Sequence, residues 1–200
     1  DIINQELNAT VDLIGSQPDA RWIMWGMGNH EYEVLRRHSI NFPALVAQRT
    51  GIPLGSYAGF ISMTLNLKSR KKHGGGGRNF VILYHHGAWG GEVMEGLPGA
   101  KRYVADIFGF NIFVFGHDHF AHLHVRPCTV ITSKGLEEVF NRYIVNTGGW
   151  ELQAKTGDEC SFAERRGYSI KPIICPLITA WVERPTDHNH APDIKYKVEF

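Results

Sequence analysis

Three apolar runs in this chain end in histidine, and that repetition constrains the fold more than any other feature. Ile112-Phe113-Val114-Phe115 leads into Gly116-His117-Asp118-His119, and Phe80-Val81-Ile82-Leu83-Tyr84 leads into His85-His86-Gly87. Trp22-Ile23-Met24-Trp25 runs through Gly26 into Gly28-Asn29-His30-Glu31. β-Branched and aromatic residues in short runs read as buried strands, and the glycines mark where the strands stop. Imidazole and carboxamide groups are thereby delivered to the C-terminal ends of strands, the edge at which open α/β sheets keep their sites.

The rest of the chain supports an α/β reading. Ile2, Ile3, Leu7, Val11, Leu13 and Ile14 recur at near-helical spacing, and Gly15 and Pro18 close that segment. The pattern then predicts a strand at 21–25, helices at 31–37 and 42–49, an extended segment at 58–66 and a strand at 79–84. A helix opened by Pro98 is expected over 98–108, followed by the 112–115 strand. Beyond His119 the segments are short and strand-like. His122 to Val125 and Thr129 to Thr132 are split by a turn, Tyr143 to Asn146 follows, and Leu177 to Glu183 and Ile194 to Phe200 come last. Alternating elements followed by successive strands predict a layered α/β sandwich whose second sheet is mainly antiparallel. No linker or internal repeat divides the chain, so residues 1–200 read as a single domain.

Composition excludes little. With 200 residues, 43% of them hydrophobic, the chain can bury a real core. Lys and Arg total 21 against 20 for Asp and Glu, and no basic stripe stands out, so the charge favours neither nucleic acid nor its absence. The densest cationic patch, Lys68, Arg70, Lys71 and Lys72, adjoins Gly74 to Gly77 and reads as a solvated hairpin tip. A substrate-phosphate contact from that tip is the alternative. Cys128, Cys160 and Cys175 cannot all pair and show no CxxC spacing, so reduced thiols in a cytoplasmic protein are expected. No apolar stretch approaches the ~20 residues that span a bilayer, and no membrane association is expected.

Histidine, asparagine and aspartate gathered at strand ends suit borderline divalent metals such as Mn, Fe, Co, Ni or Zn. Gly28-Asn29-His30-Glu31, then His85-His86, then Gly116-His117-Asp118-His119, in that order after apolar strands, resemble the calcineurin-like metallophosphoesterases over residues 20–150. Asn146-Thr147-Gly148-Gly149 is similar to a turn that follows the last motif in that family. Phe162 to Tyr168 resembles phage-type and related bacterial members. The resemblance implies a layered α/β/β/α sandwich and a site with two divalent metals. By position, Asn29, His85 and His117 would bind the second metal, and His119 would bind the first. His30 would be the catalytic acid or phosphate-stabilising donor. His86 would orient His85 or contact substrate.

Other residues carry simpler expectations. Glu31 is expected to serve the N-terminus of a helix, where carboxylates are stabilising. Asp118 is expected to be structural, because strand alternation turns it away from its neighbours. His122 and His124 share one strand face and are read as surface positions, with metal ligation as the minority reading. Trp89, Trp150 and Tyr168 are read as core aromatics more readily than as the rim of a site. His38, His73, His188 and His190 have no supporting context.

The family pattern also includes an Asp-x-His and a Gly-Asp-x-x-Asp ahead of the Asn-His motif, and neither precedes Asn29 here. The chain therefore reads as an N-terminally incomplete domain of that family, with weak or no binding of Mn(II) expected. The function implied is hydrolysis of a phosphate ester by metal-activated water. The alternatives are a nuclease or nucleic-acid phosphodiesterase of the same fold, and a catalytically inactive scaffold or binding module with a degraded metal site.

Overall fold

The computed structural model describes residues 2–66, 77–89, 96–131, 135, 137–148, 174–183 and 193–200. The Lys68–Lys72 patch, Trp150, Cys160, Phe162 to Tyr168, His73, His188 and His190 lie outside the described residues. The chain divides into two compact units, residues 1–59 and 60–200.

The first unit is helical. Helices α1 (Ile2–Gly15), α2 (Asn29–His38) and α3 (Phe42–Thr50) supply its regular structure. Leu7 and Ile14 of α1 meet Val46 of α3 and Ile52 in a buried cluster, joined by Val11, Trp25, Phe42 and Leu45. The i, i+4, i+7 spacing read from the sequence thus becomes one apolar face. Asn41 caps α3 by accepting the Ala44 N–H at 3.1 Å, and Gly51 closes it in the left-handed region at φ 74°.

The expected strand at 21–25 does not form as a strand. Its single pairing is a parallel bridge between Trp25 and Leu54, in which the Trp25 N–H donates to Pro53 O and the Trp25 carbonyl accepts the Gly55 N–H. Trp22 and Ile23 remain 42% and 49% exposed. An apolar run becomes a strand only where a second strand hydrogen-bonds it, and sequence period alone does not supply that partner.

The second unit is built on a five-stranded mixed sheet in the order β1-β2-β3-β5-β4. Its strands are β1 (Ala58–Asn66), β2 (Gly77–His85), β3 (Ile112–Phe115), β4 (Ala121–Ile131) and β5 (Glu137–Thr147). β2, β3 and β5 run parallel, while β4 and β5 form an antiparallel hairpin. A separate two-stranded antiparallel sheet pairs β6 (Leu177–Glu183) with β7 (Asp193–Glu199).

Strand period sorts the apolar residues of the large sheet onto two faces. Leu83, Phe113, Phe115 and Ile144 pack with Ala100 and Val104 at helix α4 (Leu97–Tyr103). The alternate residues Phe80, Ile112 and Val145 pack with Ile178, Ala180, Ile194, Tyr196 and Val198 of the small sheet. Burial of each large apolar side chain contributes about 1.5–3 kcal/mol, so Phe80 and Leu83 of β2, Ile112, Phe113 and Phe115 of β3, and Ile144 and Val145 of β5, all fully buried, anchor both layers. The α/β class expected from the sequence is present as this mixed sheet with its helices. Among the described residues, no helix is long and apolar enough to cross a membrane.

Two local expectations are corrected. The segments expected from His122 and from Thr129 are joined through Pro127, which pairs with Asn141, in one continuous strand that runs to Ile131. Proline is tolerated because β4 lies at the edge of the sheet, where a missing N–H breaks no ladder on the outer side. The helix expected over 98–108 ends at Tyr103. The Arg142 guanidinium donates to Val104 O at 2.9 Å and caps the carbonyl end of the helix there.

Candidate functional site

In the second unit the register places His85, Phe115, Asn146 and His122 in one row across β2, β3, β5 and β4. Residues in one row project to the same face, and this row follows Leu83, Phe113 and Ile144 on the side covered by α4. His85 therefore stacks on Trp89 at 4.7 Å between ring centroids and meets Tyr103 edge-on at 4.8 Å. Its Nδ1 accepts the Gly87 N–H at 2.8 Å, which assigns its proton to Nε2 in the neutral ring. Burial pushes the His85 pKa down.

His86, one residue on, belongs to the opposite parity. Its Nε2 lies 3.2 Å from Nδ1 of His117, and its carbonyl accepts the Gly116 N–H at 3.2 Å. The structure thus brings His86 against His117. The parity of β2 was the available signal: Leu83 reads as core, and His85 shares its face.

The backbone around this pair is unusual. His117 and His119 both occupy the left-handed region, at φ 80° and 59°. That conformation costs a non-glycine residue about 1–2 kcal/mol, so surrounding contacts must hold it. Gly87, at φ 100°, is one of them. A Cβ added there would stand 2.4 Å from Gly116 O and 2.8 Å from His117 Cβ, so only glycine lets the β2 and β3 ends approach this closely.

Asp118 sits between the two left-handed histidines. Its Oδ1 accepts the Phe120 N–H at 3.2 Å, an Asx-turn, and the Asn146 Nδ2–H at 2.5 Å. Asn146 is fully buried, and its Oδ1 faces the Gly148 N–H at 3.5 Å. The structural role expected for Asp118 is what these bonds describe. Asn146 is the residue whose importance the sequence understated. A carboxamide closing the apolar run Tyr143-Ile144-Val145 was its signal.

His122 is half-buried against the Phe115 ring. Burial lowers its pKa, the Asp118 carboxylate opposes that shift, and His124 and Lys101 add to it. His124 is lowered by burial and then by Lys101 and Arg126.

In the first unit, Asn29 is the first residue of α2 and is half-buried, while His30 is exposed. Glu31 Oε2 accepts the Gly28 N–H at 3.0 Å, a carboxylate reaching back across the helix start. Because Gly28 has no side chain, this is one half of a capping box. The helix-start role expected for Glu31 is therefore present.

The donor chemistry at His86 and His117 fits a divalent metal. Two imidazole nitrogens, each about 2.0–2.1 Å from one cation, stand about 2.9–3.4 Å apart for angles from 90° to tetrahedral. Their observed separation of 3.2 Å lies inside that span. Among the described residues, no three His, Cys, Asp or Glu side chains are grouped as a complete ligand set. No family model, no curated protein and no solved structure matches this chain.

Proposed function

We propose that the protein is a metal-dependent phosphoesterase. The observation that carries the reading is the His86–His117 pair, two imidazole nitrogens 3.2 Å apart at the C-terminal ends of adjacent parallel strands. That edge is where α/β sheets gather their functional groups. The ordered Asn-His, His-His and Gly-His-x-His motifs support the same reading. The layered α/β/β/α sandwich implied by those motifs is supported by apolar packing on both faces of the large sheet, α4 on one and β6–β7 on the other.

In this reading, His86 Nε2 and His117 Nδ1 hold a divalent cation, and His119 serves a second cation. A bound cation supplies Lewis acidity toward a phosphoryl oxygen and activates water for in-line attack. Asn29 and His30 enter the reading through residue type and motif order alone. Asn29 supplies a neutral oxygen donor, and His30 supplies a proton to a leaving oxygen. His85 keeps its neutral ring among Trp89 and Tyr103 and supports the end of β2.

The test is hydrolysis of p-nitrophenyl phosphate, bis(p-nitrophenyl) phosphate and single-stranded DNA with Mn(II) or Zn(II) added. Metal-dependent release from one of the chromogenic esters, abolished by His117→Ala, is the expected result. Cleavage of DNA alone would move the protein to the nuclease class. No turnover of any substrate would defeat the reading.

A further inference from the structure

We infer that Asn146 and Asp118 form a positioning pair that sets His117 and His119 in their left-handed conformations and so holds His117 against His86. The inference rests on the phosphoesterase reading for its purpose, though its geometry stands apart from that reading. His117 and His119 flank Asp118, and both take positive φ, which side chains rarely adopt without external support. The Asp118 carboxylate supplies that support through a single oxygen. Oδ1 accepts the Phe120 N–H, which fixes the chain after His119, and the Asn146 carboxamide, which ties the loop to β5.

Asn146 cannot drift. It is fully buried, lies in register with Phe115 of β3 and His122 of β4, and faces Gly148 N–H with its own oxygen. On the other side of the loop, Gly116 N–H bonds to His86 O, and glycine at 87 admits the close approach of the two strand ends. Gly96 also leaves room for the carboxylate, since a Cβ there would stand 2.9 Å from Asp118 Oδ2. The loop carrying both histidines is therefore held at its base by His86 and at its far side by Asn146. Removing the Asn146 donor releases the far side, and the His117 ring then loses its orientation toward His86.

The full chain labelled with ¹⁵N-histidine provides the test, because long-range ¹H–¹⁵N spectra report the protonation of each ring nitrogen. In the wild-type protein, His86 Nε2 and His117 Nδ1 are expected as a matched donor and acceptor. Asn146→Asp sets two carboxylates face to face and is expected to abolish that signature while the far-UV circular dichroism spectrum is retained. It is also expected to weaken Zn(II) binding about tenfold, the scale of losses when a ligand's supporting hydrogen bond is removed. Asp118→Ala tests the same pair without altering a buried strand position. The reciprocal double substitution Asp118→Asn with Asn146→Asp is expected to restore the signature.

Wild-type ring-nitrogen shifts in either folded single variant would overturn the inference, as would failure of the double substitution to restore them. Loss of the fold in both single variants would make the pair a contact of the fold alone and would also overturn it. A wild-type chain that binds no Zn(II) defeats the phosphoesterase reading, while the spectra still decide the positioning role.

Discussion

His86 Nε2 and His117 Nδ1 stand 3.2 Å apart, while the neighbouring His85 turns to the opposite face of the sheet and stacks on Trp89. One residue of strand parity separates a candidate ligand from a packing residue. Adjacent histidines in a sequence are alike in chemistry and opposite in direction, because side chains alternate across a strand with period two.

The two histidines should separate cleanly on substitution. His86→Ala is expected to weaken Zn(II) binding at least tenfold in isothermal titration, with little change in stability. His85→Ala is expected to lower stability by about 2 kcal/mol through lost aromatic packing, read by urea unfolding, and to leave Zn(II) affinity within about threefold. Equal losses of affinity from both variants would contradict the division.

Gly87 should be far less replaceable than Gly109. Both are in the left-handed region, at φ 100° and 85°, so alanine strains either backbone by about 1 kcal/mol. Only at Gly87 would the new Cβ collide with Gly116 O and His117, since nothing lies within 4 Å of a Cβ at Gly109. Gly87→Ala is expected to cost about 3 kcal/mol or more and Gly109→Ala about 1 kcal/mol in chemical denaturation.

Arg142 is expected to matter through its shape as well as its charge. It is 4% exposed, donates to Val104 O, and lies over the rings of Phe110 and Phe108 at 4.8 and 5.5 Å from their centroids. Arg142→Lys keeps the charge but loses the planar stack and the fork of donors. A loss of about 1–2 kcal/mol is expected for lysine and about 3 kcal/mol for alanine, which also leaves the Val104 carbonyl without its cap. Thermal unfolding of the two variants provides the comparison.

Tyr196 predicts an alkaline limit to stability. Its hydroxyl lies 3.0 Å from Asn111 O and 3.1 Å from Asn141 O, so one proton serves two carbonyls that tie β7 to the large sheet. Burial first, then Tyr143 and Asp193, pushes its pKa up to about 12. Folding favours the neutral phenol, so the contribution is complete below the ordinary tyrosine pKa of ~10. It is lost as pH rises from there through about 12. Tyr196→Phe is expected to cost about 1 kcal/mol at pH 7 and to flatten the decline in stability between roughly pH 10 and 12, measured by urea unfolding across pH.

Much of the framework was legible because it depends on local pattern. The helical spacing of Leu7, Val11 and Ile14, the proline at the start of α4 and the apolar runs of β2 and β3 each carry their own period. The turn expected between Val125 and Thr129, where Pro127 lies, failed to form for a non-local reason. Proline breaks a central strand and is tolerated in an edge strand, and position in a sheet is set by pairing with β5. The 21–25 run failed as a strand because its apolar residues find a single bridging partner at Leu54.

The sequence by itself determined which chemistry collects at the strand ends: imidazoles at 85, 86, 117 and 119, with a carboxylate at 118 and a carboxamide at 146. Only the tertiary structure decided which of these groups meet. Parallel register aligned Phe115 with both His85 and Asn146, parity sent His85 toward α4 and His86 toward His117, and Asn146 reached across 28 residues to Asp118. Residue type fixes what a side chain can donate or accept. Direction and partner depend on hydrogen-bonded register between strands distant in the chain, which no local window of sequence contains.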